Sequence, residues 1–134
     1  MQTSNQGDVL TYVEAAKEIS IHLRGEPDDL VAAGAMYLAR EAWRQLAGSD
    51  LAWDRFGLEL LDVRGRLYAD QDVSVDAQAP VRDDAETRLA VTSMVEQLAR
   101  YHDRCASDDR FELAERLSHD AGAQQLRRAA AALG

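Results

Sequence analysis

Apolar residues recur every three to four positions along most of this chain, which is the spacing of one face of an α-helix. The first such stripe begins at Val9 and predicts a helix from about Asp8 to Leu23, ended by Gly25. Residues 1–8 are polar and are expected to form a disordered tail ahead of this helix.

Two further helices are predicted before residue 70. Asp28 is the N-cap candidate of the second helix, which should end near Ala47. Its first half is apolar on nearly every side, which is typical of a helix at the centre of a bundle or at a subunit interface. The third helix should run from about Asp50 to Ala69. Because two-fold dimers are the commonest oligomers, a homodimer is a reasonable expectation.

The helical pattern stops in residues 70–80, which we interpret as an acidic loop. Val73 and Val75 alternate there with polar residues, so a short extended piece fits the sequence. Acidic residues outnumber basic ones by six to one between residues 70 and 86. This stretch predicts a docking strip for a basic protein partner. Its candidate contact residues are Asp70, Asp72, Asp76, Asp83 and Asp84.

The helical pattern resumes after Pro80. A fourth helix is predicted from about Val81 to Cys105, and a fifth follows the capping sequence at 107–109. Gly122 is expected to separate the fifth helix from a last segment. The chain is therefore predicted to be an all-α protein, an antiparallel bundle of five or six helices that forms a single domain over residues 1–134.

Composition narrows the classes of function. The net charge of −9 disfavours nucleic acid as a partner, since binding to its phosphates needs clustered positive charge. Cys105 is the single cysteine, which excludes an internal disulfide. No apolar run approaches the roughly 18 residues of a membrane span, and the first residues lack a signal-peptide pattern. A cytoplasmic protein without membrane contact is expected.

Two carboxylate pairs have a spacing that suits a divalent cation. Glu59 and Asp62 form an E-x-x-D on the third predicted helix, and Glu14 and Glu18 lie one turn apart on the first. Helical nucleotide pyrophosphatases use comparable pairs to hold magnesium against phosphates. The alternative function is therefore a small phosphohydrolase or nucleotide-binding enzyme that depends on Mg²⁺ or Mn²⁺. A solvated helix surface explains the same residues without a metal.

Two His-Asp dipeptides offer a second route to the same chemistry. HD-type phosphohydrolases are all-helical and combine a His, a His-Asp pair and a distant Asp around a metal that activates water. Here His102-Asp103 and His119-Asp120 would supply the pairs and His22 the first ligand. The spacing from His22 to His102 fits this pattern poorly. His102 also lies on the apolar stripe of its helix, which favours a core histidine.

A third hypothesis is a small-molecule sensor with an apolar pocket between the second and third helices. Its predicted lining residues are Gly34, Tyr37, Trp53 and Phe56. No catalytic set stands out in the sequence. The leading prediction is therefore a non-enzymatic interaction or regulatory module, without a cofactor, that binds a basic protein through its acidic loop.

Overall fold

A computed structural model describes residues 9–48 and 50–134, which form five packed α-helices. The helices are α1 Tyr12–Arg24, α2 Asp29–Leu46, α3 Leu51–Leu67, α4 Ala85–Ala106 and α5 Leu113–Leu133. The predicted all-α bundle is confirmed, with five helices rather than six. No described helix combines the length and the apolar content required to span a bilayer.

Side-chain caps determine where α1 and α2 begin. The hydroxyl of Thr11 accepts from the backbone N–H of Glu14 at 3.2 Å, and the Glu14 carboxylate accepts from the N–H of Thr11 at 2.9 Å. This capping box starts α1 at Tyr12. The cap predicted from the sequence, Asp8, lies outside the described residues. The predicted N-cap of α2 is confirmed, because Asp28 accepts from the backbone N–H of Val31.

The predicted start of α4 at Val81 was four residues too early. Asp84 is the N-cap, and its carboxylate accepts from the backbone N–H of Thr87 at 2.8 Å. Helix α4 therefore begins at Ala85. The chain from Pro80 to the cap is not helical, because the side-chain cap at Asp84 fixes the start of the helix.

Helix α5 also differs from the prediction at two points. It begins at Leu113, because residues 107–109 belong to the turn that follows α4 and Asp108 there binds Arg110. It then continues through Gly122 without a break. A Cβ atom at residue 122 would lie 2.8 Å from the Cδ1 atom of Leu67. This glycine therefore lets α3 approach α5 closely, and it does not end the helix.

The core is built mainly on α2 and α4. Helix α2 packs on α1, α3 and α4, whereas α4 packs on α1, α2 and α5, and α5 also packs on α3. Small side chains from Ala32 to Ala42 let the neighbouring helices approach α2 closely. Helix α2 thus contacts three of the other four helices, in keeping with the first of the two positions expected for it.

The connection between α3 and α4 is attached to the bundle along part of its length. Val73 and Val75 pack against the core, and a Cβ atom on Gly34 would lie 3.3 Å from a methyl group of Val75. Leu10 and Ala77 form an isolated parallel β-bridge. The short extended piece that the sequence allowed is therefore present, and it covers the start of α2.

Candidate functional site

One end of the bundle collects polar and aromatic side chains from four helices or their connections. We call it the histidine end. Because α2 runs antiparallel to α3 and α4, its start lies beside the ends of these two helices and beside the start of α5. The histidine end consists of Asp29, Tyr68, Tyr101, His102, Phe111 and His119.

A chain of hydrogen bonds links three of these side chains. The hydroxyl of Tyr68 lies 2.6 Å from Nε2 of His102, and Nδ1 of His102 lies 2.8 Å from Nδ1 of His119. The two imidazole rings stack with their centroids 5.1 Å apart. In one arrangement the Tyr68 hydroxyl donates to Nε2 of His102, and Nδ1–H of His102 donates to Nδ1 of His119. In the reverse arrangement Nδ1–H of His119 donates to Nδ1 of His102, and Nε2–H of His102 donates to the Tyr68 oxygen. The bond between the two imidazoles needs one protonated and one bare nitrogen, which two neutral rings supply.

Burial keeps these groups uncharged. The His102 side chain is 2% exposed, and burial, together with the neighbouring His119, lowers its pKa to about 3. Burial also lowers the pKa of His119 and raises the pKa values of Tyr68 and Tyr101. Near neutral pH the site therefore presents two neutral imidazoles and two phenols, which can donate or accept hydrogen bonds without a formal charge.

Asp29 supplies the negative charge of the site. Its carboxylate accepts from the Tyr101 hydroxyl at 2.5 Å, and the ring of Tyr101 meets that of His102 edge to face at 5.1 Å. Phe111 lies 5.2 Å from the ring of His119. An exposed carboxylate and a neutral imidazole thus lie beside aromatic rings.

These side chains border two adjoining cavities. The first has a volume of about 160 Å³, and both histidines border it. The second, of about 360 Å³, shares Asp29, Tyr101 and Phe111 with the first and extends to Cys105 and Arg110. Burial raises the pKa of the Cys105 thiol, which therefore stays protonated. Together the cavities provide room for a small organic molecule.

The two predicted metal-binding pairs lie on separate helices that the structure does not bring together. Helix α1 packs on α2 and α4, whereas α3 packs on α2 and α5. On α1, Glu14 is engaged in the capping box with Thr11, and Glu18 faces His22 at 3.8 Å on the surface. Among the described residues, no group of three or more histidine, cysteine or acidic side chains could hold a metal ion.

The α3 pair binds side chains of α3 and α5. Glu59 accepts from the guanidinium of Arg128 at 2.9 Å. Asp62 accepts from Gln125 at 2.6 Å and from Arg66 at 3.3 Å. Both carboxylates therefore help to join α3 to α5.

The His-Asp dipeptides separate in space into imidazoles and carboxylates. The histidines bind each other, whereas Asp103 pairs with Arg127 and Asp120 accepts from Gln124. The prediction that His102 is a core histidine is confirmed. The sequence did not indicate that His119 would contact it, because the pairing depends on how α4 and α5 meet.

The predicted apolar pocket is not formed by its four residues. Trp53 and Phe56 are fully buried against each other, edge to face at 5.4 Å. Gly34 is covered by Val75, and Tyr37 borders a different, partly polar cleft.

The five predicted partner-binding aspartates divide into two groups. Asp83 binds the guanidinium of Arg88 at 2.7 Å, which lowers the pKa of that carboxyl, and Asp84 caps α4. Asp70, Asp72 and Asp76 are exposed and form no ion pair within the described part of the chain. Only this second group is free to meet a partner without breaking a contact of the fold.

Comparisons with known proteins add no relative. No family model matches the chain, and neither a curated protein nor a solved structure is significantly similar to it.

Proposed function

We propose that this protein is a binding module that takes up a small planar cation in the cavities of the histidine end. The observation that carries the proposal is the hydrogen-bonded chain from Tyr68 through His102 to His119 at the wall of an open cavity. Clustered titratable groups with shifted pKa values in a cleft are typical of functional sites.

The chemistry of the lining favours a positively charged, flat ligand with N–H donors. Asp29 offers a carboxylate, and the faces of Tyr101 and Phe111 attract a cation by roughly 0.5–2 kcal/mol each where solvent is excluded. A neutral His119 can accept a hydrogen bond from the ligand. The net charge of −9 also raises the local concentration of cations around the protein.

Titration with benzamidine and 4-aminopyridine tests this proposal, with uncharged benzamide and anionic benzoate as matched controls. We expect the two cations to shift the imidazole NMR signals of His102 and His119 and to leave that of the exposed His22 unchanged. The controls should bind at least tenfold more weakly.

Variants locate the binding. Asp29→Asn and Tyr101→Phe should weaken binding of the cations, because the first removes the charge and the second removes a hydroxyl bound to that charge. Tyr37→Phe, at a tyrosine outside the cavities, should have no effect. Equal binding by benzamidine and benzoate, or full binding by Asp29→Asn, would refute the proposal.

A second candidate function is the docking of a basic protein on the exposed aspartates of the α3–α4 connection. We call Asp70, Asp72 and Asp76 the aspartate strip. Val73 and Val75 pack against the core, so Asp72 and Asp76 project outward from an extended chain in which alternate residues are roughly 7 Å apart. A peptide of alternating lysine and valine is a suitable probe. Its binding should be lost in the triple variant Asp70→Asn, Asp72→Asn, Asp76→Asn.

A charge-matched control separates the strip from the general acidity of the protein. The triple variant Asp54→Asn, Glu86→Gln, Glu96→Gln makes the same change in net charge at other exposed positions. If both triple variants weaken the peptide equally, docking at the strip is ruled out.

The metal-dependent enzyme and the homodimer stay predictions. Calorimetric titration with Mg²⁺ and Mn²⁺ tests the first, and absence of heat at millimolar metal would end it. Light scattering on the purified protein tests the second, through a molar mass close to 14.8 or to twice that value in kDa.

A further inference from the structure

Two arginines face one small cleft on the surface between α2 and α3. Arg40 of α2 and Arg64 of α3 border this cleft, and both are half-buried. The other residues that border the cleft are the apolar Ala33, Met36 and Val73 and the polar Tyr37, Tyr68 and Gln71. The cleft adjoins the aspartate strip through Gln71 and the histidine end through Tyr68, and no aspartate or histidine among the described residues borders it.

These arginines differ from most others in the chain. Arginines on α3, α4 and α5 such as Arg66, Arg88 and Arg128 form ion pairs with carboxylates. Arg40 and Arg64 form none with any residue in 9–48 or 50–134. This is unexpected in a protein in which acidic residues outnumber basic ones by 24 to 15.

Two guanidinium groups at one cleft repel each other, and partial burial strengthens that repulsion because fewer water molecules screen it. An anion held between them would replace the repulsion by two favourable contacts. Guanidinium groups bind the paired oxygens of carboxylates and phosphates with two parallel hydrogen bonds, so they suit this role better than lysines do.

We propose that this cleft binds an oxyanion, the carboxylate or phosphate group of a small molecule. Tyr37 and Gln71 add an uncharged hydroxyl and an amide as further donors on its border. The cleft volume of about 40 Å³ exceeds the roughly 10–15 Å³ that one water molecule requires, so it admits a group of a few heavy atoms. The rest of such a ligand lies outside the cleft. This inference does not depend on the function proposed for the histidine end.

Calorimetric titration with inorganic phosphate and, separately, with succinate tests the site, at an ionic strength kept constant with chloride. We expect at least one of the two to bind with a Kd on the order of 1 mM or tighter, equivalent to about −4 kcal/mol. Preference for phosphate indicates a phosphorylated ligand, and preference for succinate indicates a carboxylic acid. Either preference supports the proposal.

Substitutions show whether the two guanidinium groups carry the binding. Arg40→Gln and Arg64→Gln should each weaken it at least tenfold, whereas Arg40→Lys and Arg64→Lys should weaken it less, since they keep the charge and lose the planar fork. Asp72→Asn removes an exposed carboxylate next to Gln71 and should strengthen binding two- to threefold. Both arginines are half-exposed, so these variants are expected to stay folded, which circular dichroism checks.

Arg55→Gln and Arg100→Gln are matched controls. Both remove an exposed arginine that has no ion pair in the described structure, and neither residue borders the cleft. They should leave the affinity unchanged. The proposal is overturned if neither anion binds, or if the control variants weaken binding as much as Arg64→Gln does.

Discussion

The two ends of the bundle bury their large side chains in different ways. At the end opposite the histidines, which we call the aromatic end, Trp53 and Phe56 are fully buried. The guanidinium of Arg88 lies 5.8 Å from the Trp53 ring centroid and is held by Asp50 and Asp83 at 2.8 and 2.7 Å. Every one of these contacts joins parts of the fold.

The histidine end buries polar groups that satisfy one another. Tyr68, His102 and His119 use their hydrogen bonds among themselves, and a cavity remains beside them. Apolar side chains fill space at the aromatic end, whereas directional bonds fix the geometry at the histidine end and leave room. We therefore expect substitutions at the aromatic end to change stability alone, and substitutions at the histidine end to change pH dependence and binding as well.

The largest effect is expected for Trp53→Ala. Removing this fully buried ring should lower the free energy of unfolding by about 3–5 kcal/mol, because the cavity it leaves cannot close completely. Urea denaturation measures the loss, and Leu58→Ala, at a side chain that is 77% exposed, should change it by less than about 0.5 kcal/mol. A loss below 1 kcal/mol for Trp53→Ala would contradict the tight packing of this end.

Acid should destabilise the protein through its histidine end. The pKa of His102 is about 3 in the folded state and about 6.5 in the unfolded state, so the unfolded chain binds more protons between those values. The contribution of neutral His102 to the free energy of unfolding is therefore fully present above pH 6.5 and is lost as the pH falls towards 3. At about 1.4 kcal/mol per unit, the loss from pH 7 to pH 4 is about 3 kcal/mol.

The variant His102→Gln separates this effect from the titration of carboxylates. It should remove most of the slope in denaturation measured between pH 7 and pH 4, whereas His22→Gln, at an exposed histidine, should keep it. Identical slopes for the native protein and His102→Gln would show that His102 is not buried in its neutral form.

Two glycines of α3 test the difference in free space. A Cβ atom on Gly57 would lie 2.2 Å from Nε1 of Trp43, whereas one on Gly65 would meet nothing within 4 Å. Gly57→Ala should destabilise the protein by about 2 kcal/mol through overpacking. Gly65→Ala should stabilise it by about 0.5–1 kcal/mol through helix propensity. Thermal unfolding of the two variants should therefore shift in opposite directions, and a shared sign would contradict this description.

The smallest loss of stability is expected for Tyr68→Phe. It leaves Nε2 of His102 without its hydrogen bond and should cost about 1 kcal/mol. The chain to His119 would then lose its first member, so the imidazole NMR signals of both histidines should shift. Unchanged signals would indicate that the hydroxyl does not bind His102 in solution.

Local patterns were sufficient to predict most of the helices. The apolar stripes predicted five or six helices in the order observed, Asp28 was the correct N-cap of α2, and the predicted start at Asp50 is the N-cap of α3. Thr11 and Glu14 form a T-x-x-E capping sequence, so the start of α1 is also indicated by the sequence. The prediction placed this start at Asp8 instead. The three starts that failed, those of α1, α4 and α5, lie where several acidic or hydroxyl residues compete for one cap.

The histidine end was not predictable from such patterns. Its residues come from four separate parts of the chain, and their convergence depends on how the helices cross, which no local spacing encodes. Gly122 is a similar case. Whether this glycine interrupts α5 is decided by Leu67, a residue of another helix, which packs into the space that a side chain would fill.

Tyr68 and Gln71 border both the cavity of the histidine end and the cleft of Arg40 and Arg64. A cation bound in the cavity and an anion bound in the cleft would therefore be thermodynamically linked through these shared residues. If one ligand changes the affinity for the other by some factor, the second changes the affinity for the first by the same factor. A cation on one side and an anion on the other are opposite charges at short range. Joint occupancy should thus exceed the product of the two separate occupancies.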